Sequence, residues 1–430
     1  MIKLKLNKYL KISIIGLGYV GLPLAIAFSK HFKVVGFDIN QNRIKNLLKG
    51  IDETQEVNLT LSKNNNLLFT YNDNQIKDSD IYIITVPTPI FKNKKPNLNN
   101  IKNASKTIAK YLSKNNIVIY ESTVYPGATE EICIPLLTKY SKLIFNKDFF
   151  CGYSPERINP GDKKRTLSNI TKITSGSDKM SAQIIKNLYQ KIISSKIKSV
   201  SSIKVAEAAK VIENTQRDIN VAFVNELSRI FDVLNISTRE VLDAASTKWN
   251  FLDFKPGLVG GHCIGVDPYY LAYKSIKTGY KPNLILSGRN INDFMPKFIV
   301  QNLKSIFKNK KKNFKKLDVL IFGYTFKENC PDTRNTQIDN VIKYLYPSAN
   351  KIHIYDPLAK QLNNDIKEYK KIKKIQKINF NKKFDLIMIL VKHKVFKEFD
   401  IQSIKKLCKK KSEIFDLKNF YNQDSSIINF

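Results

Sequence analysis

Residues 11–40 read KISIIGLGYVGLPLAIAFSKHFKVVGFDIN, and the spacing inside that stretch decides the architecture. A short apolar run ends in a glycine turn, a helix-like stretch follows, and a second apolar run, KVVGFD, closes on Asp38. Gly16, Gly18 and Gly21, separated by Leu17, Tyr19 and Val20, fit the pattern GxGxxG between a strand and a helix. Glycine there permits a tight turn and lets a pyrophosphate approach the backbone N–H groups at a helix N-terminus. Asp38 stands 17 residues beyond Gly21, where a carboxylate that binds a ribose belongs. The stretch therefore predicts a dinucleotide site built from Gly16, Gly18, Tyr19, Val20, Gly21 and Asp38. An acid at Asp38 would repel a 2′-phosphate and favours NAD over NADP. Arg43, five residues on, either blunts that preference or lies along the adenosine.

Further short apolar runs, DIYIITVPTP (80–89) and NIVIYESTVYPG (116–127), each stop at Pro or Gly. Such runs alternating with helical segments predict a parallel sheet covered on both faces. Ligands of open α/β sheets bind beyond the carboxyl ends of the strands, so Thr88 and Thr123 are either plain turn residues or carry hydroxyls towards a nicotinamide. From Ser202 the pattern changes: SIKVAEAAKVIENTQRDINVAFVNELSRIFDVL (202–234) lacks Gly and Pro, and its apolar residues recur every three or four positions, which predicts a long helix. After a turn-rich stretch, 247–268, MPKFIVQNLKSIFK (295–308) reads as another helix leading into a lysine-rich link. LDVLIFGYTFKENCPDTRN, KIHIYDP and FDLIMILVKH then repeat the strand–turn–helix grammar. The expected fold is α/β, with two Rossmann-like doubly wound domains, 1–200 and 306–430, joined by a long central helical region, 201–305.

Length agrees, since 430 residues exceed what one core usually supports. Five scattered cysteines without a CxxC pair argue against a disulfide framework or a zinc cage and for a reducing, cytoplasmic setting; no metal is expected. The formal charge of +35 suggests nucleic acid, but only eight of the 72 basic residues are arginine and the excess is spread along the chain. Charge of that kind supplies non-specific affinity alone, so no specific nucleic-acid partner is expected. The basic, apolar N-terminus imitates a signal peptide. Three glycines and a proline interrupt the run, and no other stretch is long enough to span a membrane.

Three constellations are candidates for chemistry, the first two against the plainer readings of a solvated loop pair and a wet polar helix face. GYSPERINPG (152–161) sets Glu156 beside Arg157 in a Pro/Gly-bounded loop. Lys210, Asn214 and Arg217 share one helix face at i, i+4 and i+7. GGHCIGVDPYYL (260–271) sets Cys263 among glycines, beside His262 and four residues before Asp267. Taken alone, Cys263 is either a buried small hydrophobe or a nucleophile. His262, Asp267 or a lysine from elsewhere could activate it. A thiolate near a nicotinamide can add to an aldehyde, and loss of hydride then leaves a thioester that water opens to an acid. The competing readings are a Cys–His acyl-transfer enzyme that merely carries a Rossmann domain, and a non-catalytic basic scaffold.

These motifs, with VPTP, ESTVYPG, EAAKVIENTQRDINVAFVNEL, GRNIND and GYTFKENCPDTRN in order, resemble the UDP-sugar 6-dehydrogenases of the UDP-glucose/GDP-mannose dehydrogenase family. GGHCIGVDPYYL preceded by KPGLVGG is similar to the branch acting on UDP-N-acetylglucosamine or UDP-N-acetylgalactosamine for capsule and O-antigen polysaccharide. UDP-N-acetylmannosamine or UDP-glucose is the alternative substrate. The resemblance implies four-electron oxidation of C6 with two NAD per turnover and Cys263 as the nucleophile. Lys210 and Asp267 would manage protons or charge, Asn214 would donate to the oxyanion, Thr123 would place a water, and Glu156 would help release the thioester. Glu156, Lys210, Asn214, Lys327 and the loop containing Phe254, Pro256, Gly257 and Gly260 would contact the sugar nucleotide. Arg334 would reach NAD, and in some members Arg289 lies near the site. A homodimer on the central helices is also implied, with uridine and pyrophosphate held by 306–430.

Overall fold

The computed structural model describes residues 4–59, 65–157, 165–261, 264–421, 424 and 426–428. The chain divides into two compact units, Met1–Glu213 with Tyr269–Lys281, and Asn214–Pro268 with Pro282–Phe430.

The first unit carries β1 (Lys11–Ile15), β2 (Lys33–Phe37), β3 (Leu67–Thr70), β4 (Ile81–Ile84), β5 (Ile117–Tyr120), β6 (Phe150–Tyr153), β7 (Lys172–Gly176) and β8 (Ile197–Ser199). They lie in the order β3-β2-β1-β4-β5-β6-β7-β8. Ile12, Ile14, Ile81, Ile83, Ile117 and Ile119 are fully buried in one core, as expected of strands covered on both faces. The order reverses between β1 and β4, which opens a crevice at their carboxyl ends. One feature departs from the expected parallel sheet. β7 runs antiparallel to β6, with Gly152 opposite Gly176 and Tyr153 opposite Ser175.

The second unit carries β9 (Leu317–Phe322), β10 (Ala349–Tyr355), β11 (Ile372–Ile375), β12 (Phe384–Ile389), β13 (Cys408–Asp416) and β14 (Ile427–Ile428). All neighbours pair parallel in the order β11-β10-β9-β12-β13-β14, so the topological switch recurs between β9 and β12.

Of the two long helices expected, one keeps its span and the other does not. The long helix covers Ile203–Leu234, as the run 202–234 predicts, and ends where Asn235 turns left-handed at φ 54°, a conformation asparagine tolerates. Ser237 then caps a separate helix, Thr238–Ala245, by accepting from the N–H of Glu240. The second helix begins at Asn283, well before 295, and carries Pro296 inside it. Proline is common at a helix start, so it marked the boundary wrongly. No helix among the described residues is long and apolar enough to cross a membrane.

Candidate active site

In the first unit the glycine turn fits a dinucleotide on geometric grounds. Gly16 has φ +95°, and a Cβ there would crowd Val86 at the start of the loop after β4. A Cβ at Gly21 would stand 1.8 Å from the Gly16 carbonyl oxygen, so only glycine allows the helix Gly21–Ser29 to start that close to β1. At Gly18 nothing lies within 4 Å of a Cβ position, which leaves room for a pyrophosphate beside the half-buried Tyr19 and Val20. Asp38 closes the turn by accepting from Leu17 N (2.8 Å) and Asn40 N (2.8 Å). Arg43 is buried, donates from Nε to the Leu17 carbonyl (2.9 Å) and pairs with Asp52 (2.8 Å). Its charge is thus balanced inside the protein, which supports NAD over NADP.

Beyond β4 and β5 the Thr88 hydroxyl donates to the carbonyl of Thr123 (2.6 Å), tying together the two loops expected to border the nicotinamide. Tyr270, fully buried, donates to the carbonyls of Thr88 and Pro89 (3.0 and 3.1 Å). The aromatic pair of DPYYL thus supports the loop after β4, a role no spacing rule announced.

Glu156 and Lys210 also meet in this unit. Lys210 Nζ donates to the backbone carbonyl of Glu156 (2.9 Å), and both side chains are buried. A neutral carbonyl balances an ammonium only partly, so Lys210 is suited to stabilise developing negative charge. Arg157 holds the same loop to the helix through the Ala209 carbonyl (3.0 Å) and an ion pair with Glu213. Glu207, one turn earlier, accepts from the N–H groups of Gly127 and Thr129 in the YPGAT loop. Burial pushes its carboxyl up to about 7.

In the second unit Asn214 Nδ2 donates to Asp267 Oδ2 (2.6 Å), both buried, with Asp267 opening the helix Asp267–Lys277. The expected substrate loop is fixed at its centre. Asn225 accepts from Gly257 N (2.8 Å) and donates to Gly257 O (3.0 Å), and it also donates to Asn292 Oδ1 (2.8 Å). Asn292 donates in turn to Asp218, which Arg289 neutralises. Arg289 therefore acts as a buried prop of this network. Phe254 and Pro256 are half-buried. Lys418, which the sequence reading missed, brings its Nζ within 3.0 Å of where a Cβ on Gly257 would stand; burial holds that ammonium below the usual lysine range.

The glycines before Cys263 answer to the chain itself. A Cβ at Gly260 would lie 2.7 Å from the Asn335 carbonyl, and one at Gly261 (φ +82°) would lie 2.5 Å from the Phe326 ring. The TFKEN and DTRN segments thus pack directly on this turn. Lys327 is half-buried, with its carbonyl accepting from Thr325 (2.9 Å). Arg334 chelates Asp332 through Nε (3.0 Å) and Nη2 (2.7 Å). His262 and Cys263 lie outside the described residues, as do Ile158–Gly161 of the Glu156 loop.

Comparison with known proteins covers nearly the whole chain. Profiles of the UDP-glucose/GDP-mannose dehydrogenase family match its NAD binding domain to residues 10–193, its central domain to 204–294 and its UDP binding domain to 320–423. A UDP-N-acetyl-D-glucosamine 6-dehydrogenase of Pseudomonas aeruginosa is 49% identical over 97% of this chain and 99% of its own. One from Salmonella typhi is 51% identical over 95% and 96%. Among solved structures, a UDP-D-ManNAc dehydrogenase from Pyrococcus horikoshii superposes with a TM-score of 0.86 at 28% identity, covering 98% of each chain.

Proposed function

The chain belongs to the UDP-glucose/GDP-mannose dehydrogenase family, and from that premise we propose that it oxidises C6 of a UDP-N-acetylhexosamine, UDP-N-acetylglucosamine first, to the carboxylate. The observation that carries this reading is the near full-length likeness to two proteins named for that reaction. UDP-N-acetylmannosamine is the second reading, favoured by the solved structure but at much lower identity. The product is a UDP-N-acetyluronate suited to surface polysaccharide.

When bound, NAD supplies the hydride acceptor for each of the two oxidations. The remaining work falls to the chain. Lys210 steadies the C6 oxygen as its proton leaves, and Asn214 with Asp267 offers a donor and a proton acceptor for the same oxygen. Cys263 adds to the aldehyde carbon, so the reactive carbonyl stays attached between oxidations and becomes a thioester. Water placed by Thr123 attacks that thioester; the C–S bond breaks, the thiolate leaves, and a proton passes to Glu156. Phe254, Pro256, Gly257, Gly260, Lys327 and Lys418 are assigned to the sugar nucleotide, and Arg334 to NAD.

We assign a homodimer to the central helices. Phe223, Ile230, Val233 and Leu234 expose apolar surface along the long helix, and Trp249 is 97% exposed, as an unpartnered interface would be. Sedimentation of the purified protein at a twofold monomer mass is the expected outcome. A cytoplasmic setting is supported by the scattered cysteines. The activity test is a panel of UDP-sugars followed by NADH absorbance. UDP-N-acetylglucosamine should yield two NADH per sugar. Failure of every UDP-sugar to do so defeats the reading.

A further inference from the structure

The antiparallel turn of β7 has a chemical consequence. Because β7 reverses direction, its first residue lies at the carboxyl end of the neighbouring strands, where parallel sheets place their sites. Continuing the pairing of Tyr153 with Ser175 by three residues sets Lys172 opposite Glu156. Lys172 Nζ indeed donates to Glu156 Oε2 (2.6 Å) and also to Glu121 Oε2 (2.8 Å). Glu121, just past β5, accepts on its other oxygen from the Tyr189 hydroxyl. The Tyr189 ring covers the ammonium at 5.0 Å. All four side chains are buried.

Two carboxylates around one ammonium, away from water, leave an excess negative charge that a shared proton relieves. Burial and the neighbouring Glu156 carboxylate keep Glu121 above the usual carboxylate range. Burial alone would lower Lys172, but the two carboxylates outweigh it and hold it above the usual lysine range. The other charged groups about Glu156 are Lys210, which reaches its backbone carbonyl, and Arg157 with Glu213. Lys172 thus meets the Glu156 carboxylate itself, whereas Lys210 meets its backbone carbonyl.

We propose that Lys172 is a positioning residue for the reaction: it orients the Glu156 carboxylate and, with Glu121 and Tyr189, fixes the buried charge against which Glu156 takes up a proton. The inference rests on Glu156 acting as base in thioester hydrolysis. In that step the proton of the attacking water moves to Glu156, and the Lys172–Glu121 pair balances the change in charge.

The test is the pH dependence of turnover with the sugar nucleotide saturating, alongside single-turnover NADH formation. Lys172→Met removes the ammonium that both carboxylates share. Its kcat should fall about tenfold to a hundredfold, each KM should hold within about threefold, and the acid limb of the profile should rise by about one pH unit. With hydrolysis slowed, a burst of NADH should precede the steady state. Lys172→Arg should restore most of the rate. Glu121→Gln leaves Lys172 to Glu156 alone, so its acid limb should move down; that variant decides the matter if Lys172→Met does not fold. Opposite shifts are not produced by a merely structural role. Unmoved profiles in Lys172→Met and Glu121→Gln, with Glu156→Gln severely slowed, overturn the inference alone. Should Glu156→Gln itself turn over like the wild type, the assignment of Glu156 as base is lost.

Discussion

Asn225→Ala offers a sharp test of how the substrate loop is held. The substitution removes three buried hydrogen bonds and orphans Gly257 N, Gly257 O and Asn292 Oδ1. An unsatisfied buried polar group costs roughly 1–3 kcal/mol, so a rigid loop would lose at least about 3 kcal/mol. A loop that detaches and rehydrates its backbone avoids much of that penalty by giving up its ordered form. At about 1.4 kcal/mol per tenfold, an ordered form weakened by about 3 kcal/mol becomes scarcer by about a hundredfold. The KM for the UDP-sugar should therefore rise by about ten- to a hundredfold, while the KM for NAD stays within about threefold. Initial rates with each substrate varied in turn, beside thermal unfolding, provide the measurement. Equal rises in both KM values, or a lowered melting temperature with neither KM changed, would refute the reasoning.

Three further outcomes are expected. Because burial raises Glu207 from 4.5 to about 7, the native state holds its proton more tightly than the unfolded chain does. The associated stability is complete below pH 4.5 and is lost as pH rises through 7, about 3 kcal/mol in all. The stability advantage of wild type over Glu207→Gln should accordingly shrink between pH 5 and pH 8 in chemical denaturation, and growth of that advantage contradicts the assignment. Gly261→Ala forces a Cβ to 2.5 Å from the Phe326 ring at a left-handed φ and should cost about 2–3 kcal/mol. Phe326→Leu in the same chain should recover part of it, and strict additivity in the double-mutant cycle denies the contact. Cys263→Ser should lower uronate formation by about a thousandfold or more, so rapid release of the acid from that variant excludes a thioester route.

Much of the fold and part of the site are written locally. The glycine pattern with Asp38, the short apolar runs, and the ordered motifs from VPTP to DTRN depend on neighbours within about one turn or one strand, where spacing alone carries the physics. NAD over NADP, the two doubly wound sheets and the family follow from those patterns. Lys210, Asn214, Glu156 and Asp267 were singled out the same way, because asparagine, acids and confined loops stand out against a lysine-rich background. Helix ends were less legible where proline is involved: Pro296 admits two local readings, a helix start or a helix interior, and packing selects one.

Tertiary structure decided the rest. No periodic signal distinguishes Lys172 from the other lysines; its importance arises when β7 reverses and pairs it with residues 16 and 51 positions away. Asn225 reads as one polar residue on a helix until Gly257 folds against it. Gly260 and Gly261 look like space left for a ligand alone until Phe326 and Asn335 pack where their Cβ atoms would stand. Arg43 looks available to a phosphate until Asp52 neutralises it. Except for Arg43, whose partner Asp52 stands nearby along the chain, the deciding contacts join segments remote in sequence, and residue spacing encodes only what lies near along the chain.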